Sequence, residues 1–346
     1  MTAYSKLFTL GLSVPGVIAF YLLDLPLPFL LGPMFACLLG ALAGLPLAGM
    51  GQVGTAFRTI LGVAAGSALG PSVVARLPDL AASLAFVPLF VAVVFCLAYP
   101  LLRRGFGFDP ITSYYSAMPG GLQDQAVYGE EAGADMRTLS LIHATRVLFI
   151  VSIAPFFMQH YWQVDLTQQP GASSADVPLE QILILIASGL IGWKIAAYFK
   201  VFGSSILGPL VLTAILTLSG IITIRPPAEM IWAAQLFIGL SVGAKYTGIT
   251  FNELRHFVLA GVTNAILLAA VSALFIAAIS YLGIAPALDA FLAFLPGGQG
   301  EMLVIALIAG ADVTYVLLHH IFRLAIVVTC APILFRIGKF KRNENQ

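Results

Sequence analysis

The sequence predicts an all-α polytopic membrane protein made of two homologous repeats. The first observation behind this prediction is composition. Of the 346 residues, 60% are hydrophobic and only 10% are charged, and the mean hydropathy is +0.97. Soluble domains contain about 25% charged residues, so this composition excludes an ordinary cytosolic enzyme or a disordered regulator. Apolar runs long enough to cross a bilayer recur along the whole chain.

The second observation is an internal repeat. The segment around residues 117–156 returns around residues 294–334, shifted by 177 positions (296 − 119 = 177). Each copy contains Pro-Gly-Gly, an acidic residue, Gly-Ala-Asp and His-x-x-Arg in that order. A shared bias toward Leu and Ala would not keep Pro, His and Arg in register, so we predict a tandem duplication. The matching residues are Pro119 and Pro296, Gly120 and Gly297, Gly121 and Gly298, Asp124 and Glu301, His143 and His320, and Arg146 and Arg323.

The repeat and the loop charges predict the organisation of the chain. Residues 1–160 form the first membrane repeat, 161–180 an extracytoplasmic linker, 181–335 the second repeat and 336–346 a basic cytoplasmic tail. Lys and Arg concentrate in cytoplasmic loops of membrane proteins. Most Lys and Arg residues of this chain fall in cytoplasmic loops if each half has five full spans and the Pro-Gly-Gly segment does not cross the membrane. Five is odd, so the two halves would be inverted. If the segment does cross, each half has six spans and the halves are parallel, which fits fewer charges.

The Pro-Gly-Gly segments predict re-entrant helical hairpins. Proline ends the first arm, and the glycines are expected to supply positive φ at the tip. Unpaired backbone in a membrane is tolerated only against protein or a water-filled cavity, and two breaks at equivalent positions indicate a transport site. The alternative is a packed kink at a helix crossing. The predicted substrate-binding residues at the tips are Pro119, Gly120, Gly121, Gln123, Pro296, Gly297, Gly298 and Gln299.

Ionisable residues follow each tip at equivalent positions. Asp124 and Glu301 come five positions after the prolines, near mid-membrane, where ionisable groups are usually functional. They either pair with the arginines discussed next or bind a coupling proton or Na⁺. His143 and His320 share these two alternatives, ion coupling or a charge pair.

Arg146 and Arg323 are predicted to lie about 16 Å into the last helix of each half. They either fasten a carboxylate in a buried pair or, as we prefer, clamp a substrate carboxylate with the guanidinium fork. Asp135 and Asp312 are expected to cap these helices.

The sequence predicts neither catalysis nor a bound metal or cofactor. The five histidines and three cysteines do not show the spacing of metal ligands. A net charge of +1 without a basic soluble region also excludes a nucleic-acid partner. We therefore expect a protein that is not an enzyme.

The doubled Leu-Gly-Pro, Gly-x-x-x-Gly and Pro-Gly-Gly motifs, with a downstream His-x-x-Arg, resemble the AbrB-duplication family of membrane proteins. The likeness covers nearly the whole chain. Members are often labelled ammonia monooxygenase or AbrB regulator, labels that this sequence does not support. The architecture also looks like that of 2-hydroxycarboxylate and related elevator-type transporters. That likeness implies that the protein forms a homodimer. We expect the protein to lie in the bacterial inner membrane with both termini cytoplasmic.

These patterns predict a secondary transporter that moves a small organic anion or an amino acid by alternating access between inverted repeats. A membrane-bound oxygenase is the first alternative, but it would need clustered metal ligands. The second alternative is a membrane protein that influences gene expression indirectly.

Overall fold

The computed structural model describes residues 3–69, 80–201 and 203–338, with only the backbone at Ala3, Gln123, Asp124 and Phe251. Within these residues the regular structure is entirely helical. The helices are α1 (Ala3–Leu22), α2 (Pro28–Leu42), α3 (Gln52–Ser67), α4 (Phe86–Pro100), α5 (Pro110–Ala117), α6 (Leu122–Ala132), α7 (Met136–Tyr161), α8 (Leu179–Tyr198), α9 (Ser204–Leu218), α10 (Ala228–Gly243), α11 (Leu259–Tyr281), α12 (Ala287–Phe294), α13 (Gln299–Ile308) and α14 (Val313–Ile337).

Six helical segments in the described part of the chain are long and apolar enough to cross a bilayer. Three further apolar helices, α2, α9 and α13, are shorter than a full span. The predicted all-α polytopic membrane fold is therefore confirmed. The six long segments are Tyr4–Leu22, Leu80–Gly105, Met136–Tyr161, Leu179–Tyr198, Leu254–Tyr281 and Val313–Ile337.

Helices α2 and α9 end earlier than the apolar pattern predicts, and for the same reason. Apolar residues continue to about residues 48 and 224, but the helices stop at Leu42 and Leu218. A glycine with positive φ follows each end, Gly44 at 82° and Gly220 at 75°. Such a glycine lets backbone N–H groups just after the helix donate to carbonyl groups of its last turn, and this ends the helix. A hydropathy pattern does not report this kind of stop.

The chain forms two compact units, and each draws helices from both halves of the sequence. Unit 1 comprises Met1–Leu77, Ala154–Gly248 and Gly300–Thr314. Unit 2 comprises Pro78–Ile153, Ile249–Gln299 and Tyr315–Gln346.

Unit 1 contains two pairs of helices, and within each pair the two helices approach each other at glycines. In α1 and α2, a Cβ added to Gly32 would lie only 2.5 Å from the carbonyl oxygen of Gly16. In α8 and α9, a Cβ on Gly208 would lie 2.2 Å from the carbonyl oxygen of Gly192. Small residues let membrane helices pack backbone to backbone. Both glycines of the second pair are 176 positions after those of the first.

Unit 2 contains both Pro-Gly-Gly breaks and the helices α5, α6 and α12, whereas α13 belongs to unit 1 from Gly300 onward. The first break separates α5 from α6, and the second separates α12 from α13. Helix α5 begins at a conventional cap, because Asp109 accepts hydrogen bonds of 3.0 Å from the backbone N–H groups of Ile111 and Thr112. Helix α7 carries Arg146, which contacts the first break, and α14 carries Arg323 at the equivalent sequence position.

Candidate functional site

The breaks lie where Pro-Gly-Gly predicts them, but their backbone is extended. Gly121 has φ −72° and ψ 143°, and Met118 and Leu295 also leave their helices in the extended region. Among the described glycines, none of the four at the tips has a positive φ. The expectation of positive φ was therefore wrong. At the first break the chain leaves α5 and enters α6 through extended residues, Met118 and Gly121, so neither needs the left-handed conformation.

Gly120 has little space for a side chain. A Cβ at this position would lie 2.8 Å from Nε2 of Gln125 and 2.9 Å from Cγ1 of Val327. Both distances are shorter than ordinary van der Waals contact. The first break therefore packs tightly against α6 and α14 within unit 2.

Arg146 binds the backbone of the first break. Its side chain is 2% exposed, and it donates from Nη1 to the carbonyl oxygen of Met118 at 3.2 Å and from Nη2 to that of Gly120 at 2.8 Å. These carbonyls follow the end of α5, where helical partners are missing. The arginine therefore fastens α7 to the break through backbone acceptors.

Arg323, the equivalent residue in the second half, is not held in this way. It is 7% exposed and donates from Nη2 to Nδ1 of His320 at 3.0 Å, while its Nη1 is buried and has no hydrogen-bond partner in the described part of the chain. The carbonyl of Leu295, which corresponds to that of Met118, accepts instead from the N–H of Gly297 at 2.9 Å. The second break satisfies its own carbonyl, so Arg323 keeps a free donor.

Neither arginine pairs with a carboxylate among the described side chains of unit 2. The two guanidinium groups also repel each other electrostatically. A buried charge without a counter-charge is costly, and such a site attracts an anion.

His143 and His320 make equivalent contacts with the first arm of each break. His143 Nε2 lies 3.1 Å from the carbonyl oxygen of Tyr115, and His320 Nε2 lies 2.9 Å from that of Leu292. A carbonyl only accepts, so Nε2 donates in both rings. Nδ1 of His320 is then the acceptor for Arg323. His320 therefore orients Arg323, and ion coupling by either histidine stays a prediction.

The predicted tip residues lie at different depths. Pro119, Gly120, Pro296 and Gly297 are buried, whereas Gly121, Gly298 and Gln299 are half-buried. The amide nitrogen of Gln299 has no partner among the described residues. The side chains of Gln123 and Asp124 lie outside the described atoms, so their predicted roles stay predictions.

Glu301 lies at the start of α13 and belongs to unit 1. It is 8% exposed and interacts electrostatically with Lys245 of the same unit. Arg323 belongs to unit 2, and the predicted Glu301–Arg323 pair stays a prediction.

The outer ends of the first broken segment lie side by side. The hydroxyl of Thr112, in the first turn of α5, accepts a 2.8 Å hydrogen bond from the N–H of Asp135, which follows α6. Asp135 in turn accepts from the N–H of Arg137 at 3.0 Å, and Asp312 accepts from that of Thr314 at 3.0 Å. The predicted caps of α7 and α14 are therefore confirmed.

The same end of unit 2 brings in two further segments. The ring of Phe108, just before α5, lies 5.1 Å from that of His256. Arg137, at the start of α7, forms an ion pair of 2.7 Å with Glu253. Hydrogen bonds from Thr250 and the charge of Arg137 hold the pKa of the Glu253 carboxyl below its usual value. Both ends of the broken segment and residues 253–256 therefore meet at one end of unit 2.

Several buried polar residues were not predicted as site residues. Gln125, on α6, is fully buried, and neither its amide oxygen nor its amide nitrogen has a partner among the residues that the structure describes. His319 is also buried, and its Nε2 lies 2.8 Å from Oγ of Ser83, which also contacts the hydroxyl of Tyr315. The polar residues after the first Pro-Gly-Gly were the available signal for Gln125. No sequence spacing links Ser83 to His319.

Among the described residues, no group of three or more His, Cys, Asp or Glu side chains could hold a metal ion.

Fold and site together define a multi-pass, all-α membrane protein with two broken helices and buried arginines beside the breaks. A family model described as "Transition state regulatory protein AbrB" matches residues 29–339. The chain belongs to this AbrB family.

Two curated relatives are similar to the chain over most of its length. One is "Uncharacterized protein YhjN" of Bacillus subtilis (strain 168), 26% identical over 296 residues, which cover 81% of this chain and 77% of the relative. The other is "Putative regulator AbrB" of Escherichia coli (strain K12), 24% identical over 340 residues and 94% of both chains.

Proposed function

We propose that this protein is a secondary transporter, not an enzyme, and that it moves a small organic anion or an amino acid across the membrane by alternating access. The observation that supports this most strongly is the free, buried donor of Arg323 next to a broken helix. A guanidinium group offers a carboxylate two parallel hydrogen bonds, which few other side chains can match.

The charges of unit 2 support an anionic substrate. Arg146 and Arg323 are both buried, and the described carboxylates of their unit neutralise neither of them. A bound anion would relieve their mutual repulsion and supply the missing counter-charge. Buried arginines in membrane helices usually face a partner or a substrate pathway.

The two arginines have different roles in this proposal. Arg146 is held by two backbone carbonyls, so it shapes the first break and adds positive charge. Arg323 has one side-chain partner, His320, which orients it and leaves Nη1 for the substrate. The substrate carboxylate therefore binds Arg323 directly.

A re-entrant path for the first broken segment supports transport as well. Helix α5 has 8 residues and α6 has 11. At 1.5 Å per residue the arms are roughly 12 and 16 Å long, about half a bilayer each. Their outer ends meet through Thr112 and Asp135, so both arms start from one end of unit 2. This arrangement fits inverted repeats and cytoplasmic termini in the inner membrane.

The remaining parts of the proposal concern coupling and assembly. Asp124 and Glu301 are the proposed sites for a coupling proton or Na⁺, because an acidic group near mid-membrane is usually functional. The protein is proposed to work as a homodimer, and any effect on gene expression would follow from changed metabolite levels.

A binding screen tests the proposal. The purified protein in lipid nanodiscs is screened by thermal shift against a library of carboxylates and amino acids, since a ligand that binds the folded state raises the Tm. We expect at least one anion to stabilise the wild type and to lose this effect in Arg323→Gln. Arg336→Gln is the matched control, because Arg336 lies on the same helix but is exposed. An anion that stabilises wild type and Arg323→Gln equally would contradict the proposal.

A further inference from the structure

Gln125 is a buried amide without hydrogen-bond partners among the described residues. It lies in the first turn of α6 and is 0% exposed, and neither Oε1 nor Nε2 makes a hydrogen bond within the part of the chain that the structure describes. A primary amide has two N–H donors and an oxygen that accepts, and leaving all of them buried and unpaired is unfavourable. Such a group needs an explanation within the site around it.

The amide lies beside the candidate anion site. Nε2 of Gln125 would be 2.8 Å from a Cβ on Gly120, and the carbonyl of Gly120 binds Arg146. Val327 approaches the same glycine from α14 and lies one turn after Arg323, on the same helix face. Gln125 therefore lies next to the residues that the substrate is proposed to approach.

The repeat does not keep an amide at this position. The equivalent residue in the second half is Met302 (302 − 125 = 177), which is fully buried and apolar. A side chain that only filled space at this point of the repeat could be apolar in both halves. The polar group therefore indicates a ligand contact made in one half only.

We propose that Gln125 determines which anions are accepted, an inference that rests on the proposed anion transport. Its Oε1 accepts a hydrogen bond from a hydroxyl or ammonium group of the substrate, while Arg323 binds the substrate carboxylate. The substrate class is then a carboxylate with a hydrogen-bond donor nearby. A carboxylate without that donor would leave Oε1 buried and unpaired.

Matched ligand sets test this inference. The probes are acetate, glycolate and glycine; succinate, malate and aspartate; and tricarballylate and citrate. Binding constants are measured by calorimetry on the protein in nanodiscs. We compare the wild type with Gln125→Met, which introduces the residue of the equivalent position. Gln235→Met is the control, because Gln235 is a buried glutamine of unit 1 whose Nε2 is also unpaired.

We expect the wild type to bind the donor-bearing members of at least one set at least about tenfold more tightly than the plain member. Gln125→Met should reduce this preference to less than about threefold and should not weaken binding of the member without a donor. Gln235→Met should keep the wild-type preference. Equal binding within every set by the wild type, or a preference that survives in Gln125→Met, would overturn this inference and leave the proposed function intact. Failure of the wild type to bind any probe would also overturn this inference, and the thermal-shift screen of the full library then tests the proposed function separately.

Discussion

Arg146 donates a 2.8 Å hydrogen bond to the carbonyl oxygen of Gly120, and this contact joins α7 to the first broken helix. A second bond from the same guanidinium group reaches the carbonyl of Met118. Arg323, at the equivalent position of the second half, makes neither type of contact and binds His320 instead. Two residues that the sequence presents as a matched pair thus have different partners.

The first prediction concerns the stability of the Arg146 contact. Arg146→Gln removes a charged donor from two buried carbonyls, so we expect a loss of about 2–4 kcal/mol in unfolding free energy. Arg323→Gln removes a buried charge that has no counter-charge among the described side chains of its unit, so we expect a Tm equal to or above that of the wild type. Thermal unfolding in one detergent measures both. A larger loss in Arg323→Gln than in Arg146→Gln would contradict these roles.

The second prediction concerns the space at Gly120. Gly120→Ala places a Cβ within 3 Å of Gln125 and Val327, so we expect a loss of about 1–3 kcal/mol and weaker anion binding. Gly11→Ala is the control, because a Cβ on Gly11 in α1 has no neighbour within 4 Å. The control should be neutral or slightly stabilising, since alanine favours helix. Wild-type stability and binding in Gly120→Ala would show that the break does not pack as described.

Sequence reasoning predicted the helical membrane fold, the two breaks and the caps at Asp135 and Asp312, because each depends on local composition. It did not predict the hydrogen bonds of Arg146, because backbone carbonyls have no signature in residue type. The backbone of Gly121 was mispredicted for a related reason. A Pro-Gly-Gly motif indicates where a helix breaks but leaves several possible paths for the chain.

The repeat itself gives the third prediction. Gly32→Ala and Gly208→Ala each put a methyl group into a backbone contact of 2.5 Å or less. We expect both substitutions to lower the unfolding free energy by a similar amount, about 2 kcal/mol or more. The measurement is the denaturant or thermal midpoint of each variant. A large loss in one variant and none in the other would argue against equivalent packing in the two halves.

The fourth prediction concerns topology. In a background without Cys37, Cys96 and Cys330, single cysteines are placed at exposed positions and labelled in whole cells with a membrane-impermeant thiol reagent. Because both arms of the first break start from one end of unit 2, cysteines at Gly105 and Asn252 should be protected together. Cysteines at Ala175 and Leu282 should be labelled from outside. Opposite labelling of Gly105 and Asn252 would exclude the proposed re-entrant path.

Direct measurement of transport tests the central claim, that Arg323 binds the transported anion. Proteoliposomes are loaded with the unlabelled form of the anion that gives the largest thermal shift, and counterflow of the radiolabelled form is followed. We predict counterflow by the wild type and by Arg336→Gln, and loss of at least about 90% of it in both Arg323→Gln and Arg323→Lys, because lysine keeps the charge but not the fork. Undiminished counterflow by folded Arg323→Gln would contradict the account.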